Sequence, residues 1–573
     1  MSVLGEPANL TFDLREIPFS TRGSWLNLSP VTALHTRTDA VHLVSHRNGM
    51  HAVLRLDPLR DGDIVATSWT ASPSVFSWQA GQGIIEASFE TTDAIRLRGV
   101  GLGLRLSDAA GGLTPFTGTY LFVDPLDDAP TFTSYETGRR YRVTSRLGSV
   151  EAHGAEALGV ASRTVALGGD GLPWEATVEE IGTAAVPISS AASFDEVASA
   201  QASAFAGFVD AIAPWRDART PAAALAAYVL WSATVAPEGF MQRESVLMSK
   251  HWMDKLWSWD HCFNALAIAP GLTGLAVDQF LAPFDHQDAS GALPDSITHS
   301  EVLRNYVKPP IHGWTLRRLR ATAERPLSRP ELEEIHDRLT AWTRFWLDYR
   351  RRPGHALPYY QHGNDSGWDN STTFDRDRLI EAPDLAGFLA LQVEVLAELS
   401  AELGRPAQEW TEARDELIAA MLGQLWTGEE FVAIGALSGQ RSTSSSLLNL
   451  LPLVLGERLP AEVCSSMVAH LLDHLTDHGP ATEPVTSPHY ESDGYWRGPI
   501  WAPSTALIED GLRASGFTEV ADIVNARFRA LCEQSGFAEN FDAVSGAGLR
   551  DRAYTWTAAV YLMFAADFVR RAG

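Results

Sequence analysis

The chain has 573 residues, of which 45% are hydrophobic and 20% charged, the composition of a globular protein with a large core, and this excludes wholesale disorder. The 45 basic and 71 acidic residues give a formal net charge of -26, which excludes nucleic acid and anionic membrane surfaces as expected partners. The length exceeds that of one ordinary core, so we expect two unequal domains.

Targeting and metal signals are weak throughout. The first twenty residues have no basic start followed by an apolar run, and no stretch reaches the roughly 18 apolar residues of a membrane span. The expected location is therefore cytoplasmic, with no membrane partner. The three cysteines lie far apart and show neither CxxC nor Cys/His ligand spacing, so we expect no disulfide framework, no metal and no cofactor. The oligomeric state stays unknown at this stage.

Residues 1–190 are predicted to form an antiparallel β-sandwich, because short alternating or β-branched runs recur between glycine, proline and aspartate turns. The clearest candidate strands are Ala40–Ser45, His51–Leu56, Asp63–Thr70, Gly83–Glu90, Ala94–Leu106 and Tyr141–Arg146. From Phe194 to Trp215 the apolar spacing becomes helical. We therefore assign residues 191–220 to a helical linker.

Residues 221–573 are predicted to form an all-α catalytic domain. The clearest helical segments are Pro221–Thr234, Pro330–Arg350, Asp384–Leu403, Glu409–Leu425, Pro460–Leu475, Pro503–Arg513 and Thr555–Arg571. Their spacing indicates helix pairs without a solenoid motif, and six such pairs close into an (α/α)6 barrel with a funnel of loops at one rim. The fold class is thus multidomain, an N-terminal antiparallel β-sandwich followed by an all-α (α/α)6 barrel.

Four polar, aromatic-rich stretches with helix breakers are typical of a rim site. The first, residues 255–263 (KLWSWDHCF), contains Trp257, Trp259 and Asp260. The indoles can stack on a sugar face and the carboxylate can bind its hydroxyls. Core packing is the alternative for each tryptophan, and Asp260 can instead cap the following helix. The second runs through residues 291–297 and 308–314 and contributes His312 and Trp314 as candidate substrate contacts, with ordinary loop punctuation as the alternative.

The third stretch, residues 362–375 (HGNDSGWDNSTTFD), holds three aspartates and two asparagines around Trp368. Neither helix nor strand formation calls for that composition. A calcium loop is the competing interpretation, but the oxygen spacing lacks the EF-hand pattern and its terminal glutamate.

The fourth stretch is a pair of segments, 495–501 (YWRGPIW) and 536–546 (GFAENFDAVSG). Arg497 can donate to sugar hydroxyls beside the candidate contacts Tyr495, Trp496 and Trp501. Glu539 stands among apolar and small residues, a setting that tunes a carboxyl for acid or base work. Glycoside hydrolysis needs two such groups, one to protonate the leaving oxygen and one to activate water or attack carbon.

The motifs GWDNS (367–371), YWRGPIW (495–501), ENFD with the following SG (539–546) and YTWTA (554–558) resemble glycoside hydrolase family 63. That family holds processing α-glucosidase I, bacterial α-glucosidases, and the mannosylglycerate and glucosylglycerate hydrolases. The motifs are more loosely similar to family 37 trehalases. The resemblance covers roughly residues 225–570 and keeps the family's motif order.

The resemblance implies an inverting mechanism, with Asp369 as the acid and Glu539 as the base. It also implies sugar contacts at Trp257, Trp259, Asp260, Arg497 and Trp501. Two departures concern the third stretch, which contains the predicted acid and is called the acid loop below. The family commonly has DNSPRWD where this chain has DNSTTFD, so Thr372 and Thr373 replace a proline and an arginine, and the usual ESG lead-in is DSG.

These observations and the resemblance predict an inverting α-glycosidase that acts on a short α-linked oligosaccharide or a small α-glycoside. An α-glucoside is the leading candidate substrate. A glycoside phosphorylase on the same toroid would require a cationic phosphate pocket, and the basic residues near Glu539 are Arg550 and Arg552. A sugar isomerase or epimerase would use a histidine pair drawn from His286, His299, His312 and His362. A non-catalytic carbohydrate-binding protein would have aromatic platforms without a paired acid and base.

Overall fold

A computed structural model describes residues 10–169, 171–183 and 190–572. The chain divides into two compact units, Met1–Lys255 with Thr298–Glu301, and Leu256–Ile297 with Val302–Gly573. The ranges 1–190, 191–220 and 221–573 stay a prediction of how the protein divides into domains. Residues 184–189 next to the first boundary, and the first nine residues of the segment used to predict the location, lie outside the described part.

Fifteen strands precede the helices of the first unit within its described residues. They are β1 (Leu26–Ala33), β2 (Thr36–Ser45), β3 (His51–Arg60), β4 (Asp63–Ile64), β5 (Ser68–Ala71), β6 (Phe76–Ala80), β7 (Gly83–Thr91), β8 (Ala94–Val100), β9 (Gly103–Asp108), β10 (Thr119–Val123), β11 (Pro130–Ser134), β12 (Arg140–Leu147), β13 (Val150–His153), β14 (Thr164–Leu167) and β15 (Trp174–Ile181). Two helices follow, α1 (Phe194–Ile212) and α2 (Ala223–Ala233).

The strands form two antiparallel sheets. One has the order β1-β2-β3-β9-β14-β13 with β4 paired to β3, and the other has the order β10-β11-β12-β15-β8-β7-β6-β5. Apolar side chains of both sheets share one core that includes Leu43, Leu54, Phe76, Phe132 and Tyr141. The predicted β-sandwich is thereby confirmed.

Two predicted strands are wrong as single strands. Ala94–Leu106 is β8 and β9 in different sheets, because Gly101 adopts φ +67 and turns the chain between them. Asp63–Thr70 is likewise β4 and β5 in different sheets. Alternation shows that a residue run is extended, but it does not show where the run changes partner.

The second unit is helical. Its helices are α3 (His261–Ile268), α4 (Thr273–Leu281), α5 (His312–Thr322), α6 (Arg329–Arg344), α7 (Gly363–Ser366), α8 (Pro383–Leu403), α9 (Gln408–Ala420), α10 (Ala461–His474), α11 (Ala502–Ala514), α12 (Thr518–Ser535) and α13 (Thr555–Ala572). Tighter or wider turns occupy Ala282–His286, Phe345–Tyr349, Thr372–Phe374, Met421–Leu425 and Leu447–Arg458.

Short antiparallel ladders connect the elements. They are formed by Thr234–Val235 with Ser245–Val246, Leu256–Trp257 with Ser296–Ile297 and Val302–Leu303, Ile380–Glu381 with Ile434–Gly435, Leu475–Thr476 with Gly479–Pro480, and Asn540–Phe541 with Gly548–Leu549. None of the described helices combines the length and the hydropathy that crossing a bilayer requires.

Six segments of this unit close a ring. α3 packs against α5, α5 against α8, α8 against Leu447–Arg458, that segment against α11, α11 against α13, and α13 back against α3. The intervening helices α4, α6, α9, α10 and α12 pack on one or two of these six from outside. This alternation of inner and outer helices is the predicted (α/α)6 barrel.

The inner position of α8 follows from its sequence. Apolar residues occupy nearly all sides of the helix, and sixteen of its residues are buried, which is the pattern of a helix surrounded by others. Pro383 begins it, where no amide hydrogen is needed, and Gly404 ends it with φ +73. By contrast α6 begins with a capping box of Ser328 and Glu331 and is apolar on one side.

Candidate active site

The motif residues precede inner helices. Asp260 lies directly before α3, Lys308 shortly before α5, residues 495–501 directly before α11, and Glu539 sixteen positions before the start of α13. Asp369 lies between α7 and α8. Because one outer helix runs back between successive inner helices, the inner helices run in the same direction and begin at one rim. The fold thus explains why these distant segments meet.

Glu539 is the most deeply buried of the predicted catalytic groups, at 1% exposure. Its backbone N–H donates to the Asp551 carbonyl oxygen at 2.8 Å, while its Oε2 is buried and has no hydrogen-bond partner among the described residues. Burial raises the pKa of Glu539 to about 8, the negative charge of Asp551 adds to this, and Arg550 acts in the opposite direction. At a pKa of about 8 this carboxyl is ionised, and so able to accept a proton, mainly above neutral pH.

Asp369 is half-buried and lies near Glu539, since its charge contributes to the raised pKa of that residue. Burial raises the pKa of Asp369 itself, the Lys308 ammonium opposes the rise, and Asp295 adds to it. The Tyr495 hydroxyl favours the ionised form of Asp369 and so acts in the opposite direction on this pKa. Tyr495 adopts φ +63, and burial with both carboxylates raises the pKa of its phenol well above the usual value.

A buried lysine lies among the site carboxylates. Lys308 Nζ is 3.0 Å from Asp295 Oδ1 and donates to the Asn364 carbonyl oxygen at 2.9 Å. Burial alone would lower the pKa of Lys308, but Asp369, Asp295 and Asp260 raise it above the usual value. Sequence reasoning singled out both segments but selected neither Lys308 nor Asp295, because one lysine before two prolines is common in loops.

Asp260 makes no capping hydrogen bond to α3, so the capping alternative is not what the structure shows. Its carboxyl is buried, and Oδ2 lacks a hydrogen-bond partner among the described residues. Burial raises the pKa of Asp260 to about 8; Lys308 lowers this value, and the charges of Asp369 and Asp295 raise it. Asp260 therefore belongs to the same electrostatic cluster as the two predicted catalytic groups.

Four of the predicted sugar-stacking tryptophans pack into one aromatic cluster. Trp496 stacks on Trp501 with centroids 4.1 Å apart and ring planes 5° apart, and Trp368 lies 4.6 Å from Trp496. Trp259 joins at 6.4 Å from Trp496, and Trp556 contacts both Trp259 and Trp501. All five are nearly fully buried. The packing gives them a structural role, and their contact with sugar stays a prediction.

The other predicted contacts are placed differently. Trp257 and Tyr495 are half-buried and thus reachable by a ligand. Arg497 donates through Nε to the Asn370 carbonyl oxygen at 2.7 Å and pairs with the Asp375 carboxylate. Arg497 therefore connects two rim segments, and its contact with sugar stays a prediction.

His312 and Trp314 lie in the barrel wall. His312 Nε2 lies 2.9 Å from the Ser258 carbonyl oxygen, and its ring packs against Phe284. Burial lowers the pKa of His312 to about 4. The Trp314 indole N–H donates to Asp510, which lies eight residues into α11 and so about 12 Å from the start of that helix at the rim. The two residues support the loop and the wall, and substrate contact by either stays a prediction.

The acid loop is fixed by contacts on several sides. Arg350 pairs with Asp365 at 2.8 Å, and the Asn370 side chain accepts from Trp496 N–H at 2.9 Å. Gly367, at φ +75, packs against Trp259 so closely that an added Cβ would lie 2.5 Å from the indole. Among the described residues no group of three or more His, Cys, Asp or Glu is arranged to hold a metal ion.

The two threonines that depart from the family pattern join a buried hydroxyl network. Thr372 Oγ1 lies 2.6 Å from Ser444 Oγ and donates to Glu483 Oε2 at 3.0 Å. Thr373 Oγ1 lies 3.2 Å from the same Ser444 oxygen. Glu483 also accepts from the Ser487 hydroxyl at 2.7 Å and is fully buried. The network links the acid loop to two later segments.

Comparison with known proteins agrees with this geometry. Residues 253–557, more than half of the chain, match the family model of the mannosylglycerate hydrolase MGH1-like glycoside hydrolase domain. The mannosylglycerate hydrolase of Rubrobacter radiotolerans is 26% identical over 53% of this chain and 89% of its own length. The glucosylglycerate hydrolase of Mycolicibacterium hassiacum is 22% identical over 60% of this chain and 97% of its own.

A bacterial glucoamylase solved in complex with acarbose shares the fold, with a TM-score of 0.64 over 99% of this chain and 94% of its own at 9% identity. At that identity the likeness shows the fold alone, a β-sandwich and an (α/α)6 barrel. The family match and the curated relatives carry the assignment further. This chain belongs to the mannosylglycerate hydrolase MGH1-like glycoside hydrolases of glycoside hydrolase family 63.

Proposed function

We propose that this enzyme hydrolyses a small α-glycoside with inversion of the anomeric configuration, and that Asp369 is the acid and Glu539 the base. The observation that carries the proposal is the pair itself. Two carboxyl groups from distant segments influence each other's charge at one rim, and burial raises the pKa of both. Hydrolysis by inversion requires one protonated and one ionised carboxyl on opposite sides of the scissile bond.

In the proposed reaction the Asp369 carboxyl gives its proton to the glycosidic oxygen as the bond from that oxygen to C1 breaks. Water adds to C1 from the opposite face, and Glu539 accepts one of its protons. The products are the sugar hemiacetal and the aglycone alcohol. Glu539 Oε2, which has no partner among the described residues, is free to bind that water.

The half-buried position of Asp369 supports the acid role, because a leaving group must reach its proton from solvent. The Tyr495 hydroxyl favours the ionised form of Asp369 that remains after the proton has left. Lys308 keeps a positive charge beside Asp369 and Asp295, which lowers the cost of burying several carboxylates together. Asp260 and Trp257 are proposed to bind the sugar.

The substrate class follows from the relatives, which are named for mannosylglycerate and glucosylglycerate. We propose an α-glucoside or α-mannoside whose aglycone is a short polar alcohol such as glyceric acid. A short α-linked disaccharide is the next substrate to test, because the family also contains α-glucosidases.

The test is a panel assay of the purified full chain with α-glucosylglycerate, α-mannosylglycerate and α-linked disaccharides, scored for released monosaccharide in phosphate-free buffer. Asp369→Asn is the matched control for contaminating activity. Release by the wild type alone supports the proposal. Release that needs phosphate would identify a phosphorylase, a rearranged sugar without bond cleavage an isomerase, and binding without turnover a carbohydrate-binding protein.

A further inference from the structure

A groove in the first unit is lined by tryptophan, charged and hydroxyl side chains, and it lies outside the matched residues 253–557. It encloses about 370 Å³, within the range of about 300 to 1,000 Å³ that small-molecule sites occupy. β2, β3, β5 and β6 border it. The lining side chains that the argument uses are Trp69, Arg15, Arg55, Asp39, Asp57 and Thr38.

Trp69 is a supported aromatic surface. It lies on β5, the edge strand of the eight-stranded sheet, directly opposite Trp78 in the register with β6. Phe76 contacts both indoles edge-on, while Trp78 is buried and Trp69 remains half-buried. The two aromatic residues behind it therefore hold the Trp69 ring in place, and the Arg15 guanidinium lies over that ring. A second groove of about 420 Å³ shares Trp69 and Arg15.

The positively and negatively charged side chains near this ring are nearly equal in number. Arg55 Nε donates to Asp57 Oδ1 at 2.8 Å, and Arg105 lies 3.4 Å from the other Asp57 oxygen. The Arg15 guanidinium lies over the Trp69 ring, 4.9 Å from its centroid, and 3.5 Å from Asp13; because the Arg15 side chain is 64% exposed, a sugar that stacks on this ring can displace it. The guanidinium and carboxylate groups thus come in near-equal number, which suits neither an anion nor a cation.

We propose that this groove binds a neutral pyranose. A pyranose has an apolar CH face that stacks on an indole, and its hydroxyls both donate and accept, so carboxylate, guanidinium and Thr38 hydroxyl groups can all pair with them. Arg55 is about half exposed. Its hydrogen bond to Asp57 uses Nε, so its two terminal nitrogens remain available to a ligand. The site is non-catalytic, and the inference does not depend on the proposed hydrolysis.

The test uses the full chain labelled with 5-fluorotryptophan and fluorine NMR. Trp69→Phe identifies the Trp69 resonance by its loss. Methyl α-D-glucopyranoside and methyl α-D-mannopyranoside are then titrated against the otherwise unchanged protein, with glycerol as the control for general solvent effects. Because each resonance reports one tryptophan, binding at the rim and binding in the groove are separated in one experiment.

We expect a saturable shift of the Trp69 resonance with at least one methyl glycoside and none with glycerol. Arg55→Ala is expected to weaken this binding about tenfold, the effect of losing one hydrogen bond to a charged donor. The matched control is Arg37→Ala, an exposed arginine on β2 that does not line the groove, and it should leave both the shift and the hydrolysis rate unchanged.

The proposal is overturned if the Trp69 resonance does not respond to either glycoside up to about 100 mM, a hundred times the concentration that corresponds to about 4 kcal/mol of binding free energy. It is equally overturned if Arg55→Ala binds as the wild type does, or if glycerol produces the same shift. An unchanged resonance pattern in Arg55→Ala before titration verifies that the variant is folded.

Discussion

The division of roles between Asp369 and Glu539 predicts that the two amide variants respond differently to the leaving group. Asp369→Asn keeps the shape of the side chain but has no acidic proton to give. With an alkyl α-glycoside we expect kcat to fall roughly 100-fold or more, which corresponds to about 2.7 kcal/mol of lost transition-state stabilisation. With an aryl glycoside whose phenol leaves without protonation, the loss should shrink to less than about tenfold.

Glu539→Gln should lose roughly 100-fold with both substrates, because water must be activated whatever the leaving group. The backbone bond from Glu539 to Asp551 does not involve the side chain, so the variant should keep its fold. Initial rates with matched alkyl and aryl glycosides, together with circular dichroism of each protein, provide the comparison. Rescue of Glu539→Gln by the aryl substrate would reverse the two roles, and near-wild-type turnover by either variant would remove that residue from the mechanism.

Three further outcomes are expected. An α-linked substrate should first release the β-anomer, read by proton NMR before mutarotation; an initial α-anomer would make Glu539 a nucleophile. In a plot of kcat/KM against pH, kcat/KM should rise as Glu539 ionises, with its midpoint near pH 8. Asp551→Asn removes a charge that raises this pKa and should move the midpoint to lower pH, whereas Arg550→Gln should move it to higher pH; shifts of the same sign would contradict the assignment. Gly367→Ala should lower both Tm and kcat, because its Cβ would meet the Trp259 ring; an unchanged Tm would show that the loop yields.

Helix positions were predictable because their boundaries have local chemical causes. The segment predicted at Asp384–Leu403 is α8, Pro383–Leu403, bounded by a proline and a left-handed glycine. The segment predicted at Pro503–Arg513 is α11, Ala502–Ala514. Closure of the ring, in contrast, depends on contact between α3 and α13, which are nearly 300 residues apart and share no local signal.

The candidate site was predictable to the extent that its loops have an unusual composition. Asp369 and Glu539 lie in polar, aromatic segments that neither helix nor strand formation explains, and the structure brings them into electrostatic contact. Whether Trp496 and Trp501 stack on a sugar or pack in the core could not be decided from the sequence, because an indole serves both roles; the structure buries both side chains. Lys308 was missed because its role depends on three carboxylates from other segments.

The hydroxyl network around Glu483 makes the acid loop depend on distant parts of the chain. Thr372 and Thr373 stand where the family pattern commonly has a proline and an arginine, and their hydroxyls are held by Ser444 and Glu483. Exchange of the two threonines alone for proline and arginine would remove one hydrogen-bond donor from the buried Glu483 carboxylate. It would also place a guanidinium beside hydroxyl groups that had been hydrogen-bonded to the threonines. Engineering of this loop, or its transfer to another member of the family, therefore has to include the segments 444–446 and 483–487, because all three segments form one hydrogen-bond network.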